Sequence, residues 1–479
     1  MNGTVELRVL DGERRGQVLS FASPAVVLFG RVPDATLCIV EDPFVSRHHF
    51  LLEISPPFCR LTDLGSRNGV FVNDTLYGGR ASGARKNAWP LPPSSVFLGD
   101  GDQIVVGKNR LQVFIAAAST PGFQPLRRIR EALRRGPSGL AVATPRMGEL
   151  GAGAQVGRYQ VEEVIGYGWM GATYRATDGV TGGRVVLKTL VPNIVFDEGA
   201  AARFLALAQP LTGLVHPRIV RQLDVWRSGN IFLAAQEYHE GVNLKEFLAQ
   251  RGGRLALEEA LPLMNDILDA LVWAEAEGCL KAQGTAVGES ASRERLWHRN
   301  LKPQNILVSG EGGARRALIV DLGLFSGLER AGLIQMILAG LYAEAAPYWP
   351  RERVTFYGQT IGPSEVFSVA ALLYECLTGA RPREGFAAWP AEARQAGRPI
   401  GLAEVMRVMA EHPPVPIRER RPDLPPVVAE VFDRALAEPM VMRGQEDPAE
   451  VLARARFPDL AALRRAWQSA CAAAGWPIR

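Results

Sequence analysis

Arg31 and Ser46 form the kind of set that a phosphate dianion demands: a planar, delocalised cation and a short hydroxyl donor, both presentable from loops. They fall in two of three short polar elements near the start of the chain, Gly30-Arg31, Ser46-Arg47-His48-His49 and Asp63-Leu64-Gly65-Ser66-Arg67-Asn68-Gly69. A second set lies further along. Gly166, Gly168 and Gly171 make a G-x-G-x-x-G run, and Lys188 closes Val185-Val186-Leu187-Lys188. Downstream stand His298-Arg299-Asn300-Leu301-Lys302-Pro303-Gln304-Asn305 and then Asp321-Leu322-Gly323. Taken singly these are unspecific, because G-x-G-x-x-G also opens dinucleotide-binding folds and Asn-Gly is foremost a hairpin turn with favourable positive φ. Their order along one chain carries the information.

Two kinds of scaffold must hold these residues. Residues 1 to about 118 consist of short β-rich runs, among them VELRVL, ATLCIV, HFLLEI, GVFVN, DQIVVG and RLQVFI, separated by glycine, proline and aspartate turns. That pattern predicts an all-β sandwich. Residues 79–97 interrupt it with polar, glycine and proline residues and are expected to form an exposed loop. Residues 119–156 shift to alanine, glycine, proline and arginine around PLRRIREALRRG, too poor in apolar surface for a core, and are expected to be a flexible basic linker. After 157, the strand-like runs YQVEEVIG, RVVLKTL and NIFLAAQEY give way to helical patterns such as LEEALPLMNDILDALVWAEAEG and SEVFSVAALLYECLTG. Strands first and helices afterwards predict a β-rich lobe stacked on an α-rich lobe. The expected fold class is therefore multidomain, an all-β sandwich followed by a bilobal α+β unit.

Composition agrees with folded modules and narrows the partners. A chain of 479 residues exceeds what one core usually organises. With 47% hydrophobic and 22% charged residues it sits near the globular average, which sets aside wholesale disorder. A formal charge of +4 over this length is too small to steer a polyanion, so nucleic acid is not an expected partner. No run of about eighteen apolar residues and no charged start followed by an apolar stretch is present, so no membrane span is expected and the protein is expected in the cytoplasm. Cys38, Cys59, Cys279, Cys376 and Cys471 are far apart, which reads as ordinary buried thiols rather than a zinc site or disulfide framework.

On the three N-terminal elements, residues 1–118 resemble the forkhead-associated (FHA) family of phosphothreonine readers. The resemblance implies that Arg31 and Ser46 grip the phosphate and that Arg47 and Arg67 flank it. It also implies that Asn68 hydrogen-bonds the peptide backbone beside the phosphothreonine, while His49 is structural.

Residues 157–470 resemble bacterial Ser/Thr protein kinases on the glycine run, the Lys188 strand, the 298–305 loop and Asp321-Leu322-Gly323. His216-Pro217-Arg218-Ile219-Val220 and Glu237-Tyr238-His239-Glu240-Gly241 extend the match. The resemblance implies an N-lobe at about 157–240, a C-lobe at about 241–470, and ATP with Mg2+ as cofactors. Gly166, Gly168 and Gly171 would approach the phosphates, Lys188 would reach the α- and β-phosphates, and Asn305 and Asp321 would hold magnesium. The base would lie against the hinge at Glu237 to His239, with Gln236 as gatekeeper.

The departures from that family bear on turnover. Asn300 stands where active relatives place the aspartate that orients and deprotonates the substrate hydroxyl, and an amide accepts no such proton. Leu207 stands where an αC glutamate would pair with Lys188, and Glu198, nine residues earlier, falls on roughly the opposite helical face. Residues 324–350, the activation segment, contain no threonine, and LIQMILAGLYAEAA within them has the pattern of an amphipathic helix. Glu352 and Arg456 are expected to pair, Glu365 takes the place of the αF aspartate, and residues 281–295 form a polar insertion. Two readings stay open. One is a pseudokinase scaffold that binds Mg-ATP and is docked by its FHA module to a phosphothreonine protein, such as an active Ser/Thr kinase or its substrate. The other is an active Ser/Thr kinase that tolerates Asn300 and positions the γ-phosphate with Lys302.

Overall fold

Alternating burial along Thr4–Asp11 and Asn109–Ala116 sends Val5, Leu7, Leu111 and Val113 to one face, and the two strands pair antiparallel with Leu7 opposite Val113. They are neighbouring interior strands of the first of two sheets in the N-terminal module. Its order is β2 (Val18–Phe21), β1 (Thr4–Asp11), β11 (Asn109–Ala116), β10 (Gln103–Val106), β7 (Val70–Val72) and β8 (Thr75–Tyr77). The second sheet runs β4 (Leu37–Cys38), β3 (Ala25–Gly30), β5 (Phe50–Ser55), β6 (Phe58–Asp63) and β9 (Ser95–Leu98). Their inner faces share a core in which Phe29 and Phe50 stack at 4.6 Å. This is the expected sandwich. The computed structural model describes residues 4–22, 25–32, 35–56, 58–64, 66–79, 95–116, 150–168, 171–190, 198–228, 231–277, 297–331, 333, 344–355, 362–389, 402–439 and 447–476. The run PLRRIREALRRG of the linker, the 281–295 insertion and Cys279 lie outside these residues. One boundary is corrected: residues 95–97, expected within a loop, belong to β9, because SVFL supplies a strand that pairs with Cys59–Thr62 of β6.

The second module opens with a six-stranded sheet ordered β12 (Gln155–Val156), β13 (Tyr159–Gly168), β14 (Gly171–Asp178), β15 (Arg184–Leu190), β17 (Ile231–Glu237) and β16 (Gln222–Ser228). Helix α1 (Glu198–Ala208) packs on it through Phe204, which meets Phe232 edge to face at 4.8 Å. A small sheet of β18 (Val242–Asn243), β19 (Ile306–Ser309) and β20 (Arg316–Ile319) follows. The remaining helices form the lower lobe: α2 (Leu244–Gln250), α3 (Leu257–Glu277), α4 (Leu324–Arg330), α5 (Glu352–Thr355), α6 (Gly362–Thr378), α7 (Leu402–Glu411), α8 (Ile417–Arg420), α9 (Pro426–Ala435), α10 (Pro448–Ala455) and α11 (Leu460–Ala473). Asn243 and Asp459 cap α2 and α11 by accepting the backbone N–H groups of Glu246 and Ala462. Nearly all of α6 is buried, as befits a helix apolar around its whole circumference.

The two modules share a core. Strand β3 is apolar without alternation: Val27 and Phe29 face the sandwich interior, while Val26 and Leu28 join Ala35 and Leu51 in the core of the lower lobe. There β3 packs on α5 and β5 on α7. Burying side chains of this size contributes about 1.5–3 kcal/mol each. Beside this contact, Arg456 donates to Glu352 at 2.6 and 3.2 Å and to the Pro363 carbonyl at 3.2 Å, with Arg456 fully buried. Replacing one member of a buried pair leaves the other charge uncompensated, so Arg456→Met is expected to lower unfolding stability by about 3–5 kcal/mol. Chemical denaturation of the variant checks this; a loss below about 1 kcal/mol would show that the pair is not a clamp.

Candidate functional site

The end of β3 meets the next loop at a distance only glycine permits. A Cβ on Gly30 would lie 2.1 Å from the Arg47 carbonyl oxygen. The approach lets the Arg31 N–H donate to the carbonyls of Ser46 and Arg47 at 3.1 and 2.9 Å. Ser46 Oγ in turn accepts the Arg67 N–H at 3.0 Å. Asp63 holds the third loop by accepting from the N–H groups of Ser66 and Gly79, and Ser66 Oγ accepts from Gly69. His49, fully buried, ties all of this together: its Nδ1 accepts the Ser46 N–H at 2.9 Å and its Nε2–H donates to the Gly69 carbonyl at 3.0 Å. Arg31, Ser46, Arg47 and Arg67 line one cavity of about 470 Å³. Asn68 stands outside its lining and donates to the Phe44 carbonyl at 2.8 Å.

The second cleft lies between the lobes of the C-terminal module. Gly171, at φ +140°, brings the hairpin of β13 and β14 so close to β15 that a Cβ would fall 2.2 Å from the Thr189 carbonyl oxygen. Gly166, on the outgoing strand, faces open space, and a Cβ on Gly168 would lie 3.9 Å from the Gly171 carbonyl oxygen, an ordinary contact. Lys188, on β15, donates to both carboxylate oxygens of Asp321 at 2.6 and 2.7 Å. Gln236 on β17 donates to the same carboxylate at 3.1 Å and to Gln222 Oε1 at 3.0 Å. Burial pushes the Asp321 carboxyl up, but the Lys188 ammonium and these hydrogen bonds prevail and hold it below the usual carboxylate range. Asp321 also adopts φ +60°, an uncommon conformation for a non-glycine residue. Glu237 and His239 lie 3.6 Å apart at the hinge.

The loop carrying Asn300 is held from several sides. Asn305 Nδ2 donates to the Asn300 carbonyl at 2.7 Å, and Glu365 accepts the Arg299 N–H at 2.9 Å. The Arg299 guanidinium pairs with Glu329 of α4 at 3.1 Å, and Arg353 approaches the same carboxylate at 3.6 Å. Lys302 pairs with Glu344. The Asn300 side chain is 1% exposed, and neither its Oδ1 nor its Nδ2 has a hydrogen-bond partner among the described residues.

The family comparison matches residues 27–107 to the FHA domain and residues 159–396 to the protein kinase domain. The chain joins an FHA domain to a protein kinase domain. Among similar proteins, the serine/threonine-protein kinase PknA of Mycobacterium tuberculosis is 30% identical over 293 residues, 60% of this chain and 58% of that one. The serine/threonine-protein kinase PrkC of Bacillus subtilis is 29% identical over 230 residues, 48% of this chain and 32% of that one. The matches thus span about a third to under three-fifths of these relatives' own lengths. The crystal structure of the M. tuberculosis PknI kinase domain is 20% identical with a TM-score of 0.47, covering 68% of this chain and 99% of that one.

Within the kinase domain, the residues singled out from sequence divide into those brought together and those kept apart. Lys188 meets Asp321, and Asn305 meets the Asn300 carbonyl, whereas Lys302 reaches Glu344 instead. Leu207 and Phe204 of α1 instead contact Gly327 of α4, a helix that begins straight after Asp321-Leu322-Gly323. The amphipathic helix expected in LIQMILAGLYAEAA falls mostly outside the described residues, whereas the described helix starts earlier, at Leu324. Gln236 and Glu344 act on the cleft more directly than the sequence suggested, Gln236 on Asp321 and Glu344 on Lys302. The sequence signal for such rearranged pairing is Leu207, at the place where the resemblance would have put an acid for Lys188.

Burial lowers the pKa of both His49 and His298, the latter donating Nε2–H to the Val320 carbonyl at 3.1 Å. A neutral buried histidine has a folded-state pKa below the unfolded value of about 6.5. Its stabilisation is therefore full above about pH 6.5 and lost as pH falls from there through the folded values. Thermal melts at pH 7.5 and pH 5.5 are expected to show a lower midpoint at pH 5.5; equal midpoints would contradict the buried neutral assignment.

Proposed function

We propose that the protein is a phosphothreonine-dependent signalling protein whose kinase domain binds Mg-ATP but is catalytically impaired and serves as a scaffold. The carrying observation is Asn300, buried at the base position with an amide that no described residue engages. General-base assistance is worth about 10² to 10⁴ in rate, so its loss leaves transfer slow even when phosphates are well held. The FHA domain would dock the scaffold to a protein carrying phosphothreonine, such as an active Ser/Thr kinase or its substrate, through Arg31, Ser46, Arg47, Arg67 and Asn68. Pairing of β1 with β11 supports extending this domain to residues 1–118, with a linker at 119–156 and the kinase domain at 157–470. No helix among the described residues is long and apolar enough to cross a membrane; a cytoplasmic setting is part of the same proposal.

The donor set fits magnesium with ATP. Asn305 offers a side-chain carbonyl and Asp321 a carboxylate, and no group of three His, Cys, Asp or Glu among the described residues could cage a metal by itself. That composition suits an ion that takes one or two protein oxygens and completes its shell with phosphate and water. Bound Mg-ATP would supply the γ-phosphoryl group and the charge neutralisation around it. Lys188 would exchange Asp321 for the α- and β-phosphates, Gly166 and Gly168 would leave room for them, and Glu237 to His239 would border the base.

One observation favours a second reading, active phosphoryl transfer. Glu344 brings a carboxylate to Lys302, two residues from Asn300, and could accept the hydroxyl proton that Asn300 cannot. Thermal shift and transfer of labelled phosphate to generic acceptors separate the readings. Mg-ATP at 100 times its Kd should stabilise the fold by about 2.7 kcal/mol, and Lys188→Ala should abolish the shift. Turnover is expected from Asn300→Asp and not from the unmodified chain. Turnover by the unmodified chain that both Lys188→Ala and Glu344→Gln remove would establish the second reading instead.

A further inference from the structure

The phosphate cavity of the FHA domain has a second wall. Besides Arg31, Ser46, Arg47 and Arg67, it is lined by Arg351 and by Met406, Arg407, Ala410 and Glu411 of α7, all from the kinase C-lobe. This is a consequence of the shared core: β3 ends at Gly30-Arg31, and its outer side chains Val26 and Leu28 are buried in the C-lobe, so the loop at its tip is carried against α5 and α7. Direct polar contact crosses the gap. Arg351 Nη2 donates to His48 Nε2 at 3.0 Å, and His48 neighbours Arg47 in the phosphate loop. The Arg351 backbone N–H is fixed by Glu438 at 3.0 Å, so the residue projects from a braced position.

Charge in this cavity is lopsided. Five guanidinium groups, from Arg31, Arg47, Arg67, Arg351 and Arg407, line it, against the single carboxylate of Glu411. Arg407 is held along α7 by Glu404 and Glu411, and these hydrogen bonds raise its pKa. Its positive charge is thus offset locally, and Arg351 is the C-lobe cation whose side chain reaches into the FHA loops. A concave site that gathers like charges calls for an anion, and planar guanidinium forks match a phosphate dianion better than any other side chain. The volume of about 470 Å³ exceeds the needs of one phosphate and leaves the apolar Met406 and Ala410 surface for residues flanking it.

We propose that the phosphothreonine site is composite: the kinase C-lobe supplies Arg351 as a further phosphate ligand and the α7 face as a wall for the flanking peptide. This rests on the FHA domain binding phosphothreonine, and it adds that the kinase domain helps to choose the peptide. One bound phosphopeptide then bridges both domains. Because Arg351 precedes Glu352, the partner of Arg456, the phosphate is bound one residue from the C-lobe clamp.

Fluorescence anisotropy of the full chain with a degenerate phosphothreonine peptide pool, and with the matched unphosphorylated pool, tests this. The phosphorylated pool should bind and the unphosphorylated pool should not. Arg31→Ala should abolish binding, and Arg351→Ala should weaken it about tenfold, the scale of one charge-assisted hydrogen bond. Arg351→Glu should weaken it further. Equal thermal midpoints for the three variants and the parent establish that the loss is not unfolding; should Arg351→Ala melt early, Arg351→Lys, which keeps the charge, should bind more tightly than Arg351→Gln. Hydrogen exchange in residues 402–411 should slow on adding the phosphorylated pool to the unmodified chain and stay unchanged with Arg31→Ala. If Arg31→Ala abolishes binding while the Arg351 variants bind within twofold of the parent and exchange in α7 does not respond, the composite site is refuted and the FHA reading survives. If the phosphorylated pool binds no better than the unphosphorylated one, the FHA reading itself falls.

Discussion

Strand β3 has no solvent face, and much of the arrangement follows from that one constraint. A strand in a sandwich ordinarily buries alternate residues and exposes the rest. Here Val27 and Phe29 fill one core while Val26 and Leu28 fill another, so the FHA and kinase domains are joined through the sheet rather than only by the linker. Inter-domain surfaces within a chain are more often polar and permissive of motion. An apolar seam through a central strand instead sets the orientation of whatever the strand carries, and β3 carries Arg31.

A second constraint governs the cleft. A buried carboxylate is tolerated when a cation and hydrogen-bond donors surround it, and Asp321 has both in Lys188 and Gln236. Lys188 and Asp321 satisfy each other, and Leu207 of α1 lies toward α4 rather than toward the lysine's ion pair. Helix α4 occupies the neighbouring space, with Gly327 against Phe204 and Leu207 and with Glu329 tying Arg299 and Arg353. Leu207 and α4 thus pack apolar surface against apolar surface at this spot.

Much of this was legible in the sequence. The runs VELRVL and RLQVFI were expected as strands and are β1 and β11, and Glu352 and Arg456 were expected to meet across a long separation, as they do at 2.6 Å. The run AVVLFG was not among the strands read from the sequence, and no local pattern says which core covers its second face. The illegible parts depend on tertiary packing. Leu324–Arg330 includes Ser326 and Gly327, which have little helical preference, yet six of its seven residues are buried, so packing overrides propensity. Arg351 lies in Pro350-Arg351-Glu352, a run whose sequence reading concerned Glu352 alone. It acquires meaning only because α5 and β3 are apposed, which no local pattern encodes.

The two sites are therefore connected by structure and not merely by being on one chain. A ligand shifts a conformational balance only to the extent that it contacts the alternative states differently. A phosphate held solely by Arg31, Ser46, Arg47 and Arg67 would touch one rigid body and could bias nothing in the kinase domain. The C-lobe wall changes this, since Arg351 is positioned by the docked arrangement and its neighbour Glu352 anchors Arg456, which also donates to the carbonyl of Pro363 in α6. Ligand contacts at 351 reward the docked state alone. Such coupling does not require the cleft to perform chemistry: under the proposed reading of Asn300, the kinase fold would still report, through the same contacts, whether a phosphorylated partner is bound.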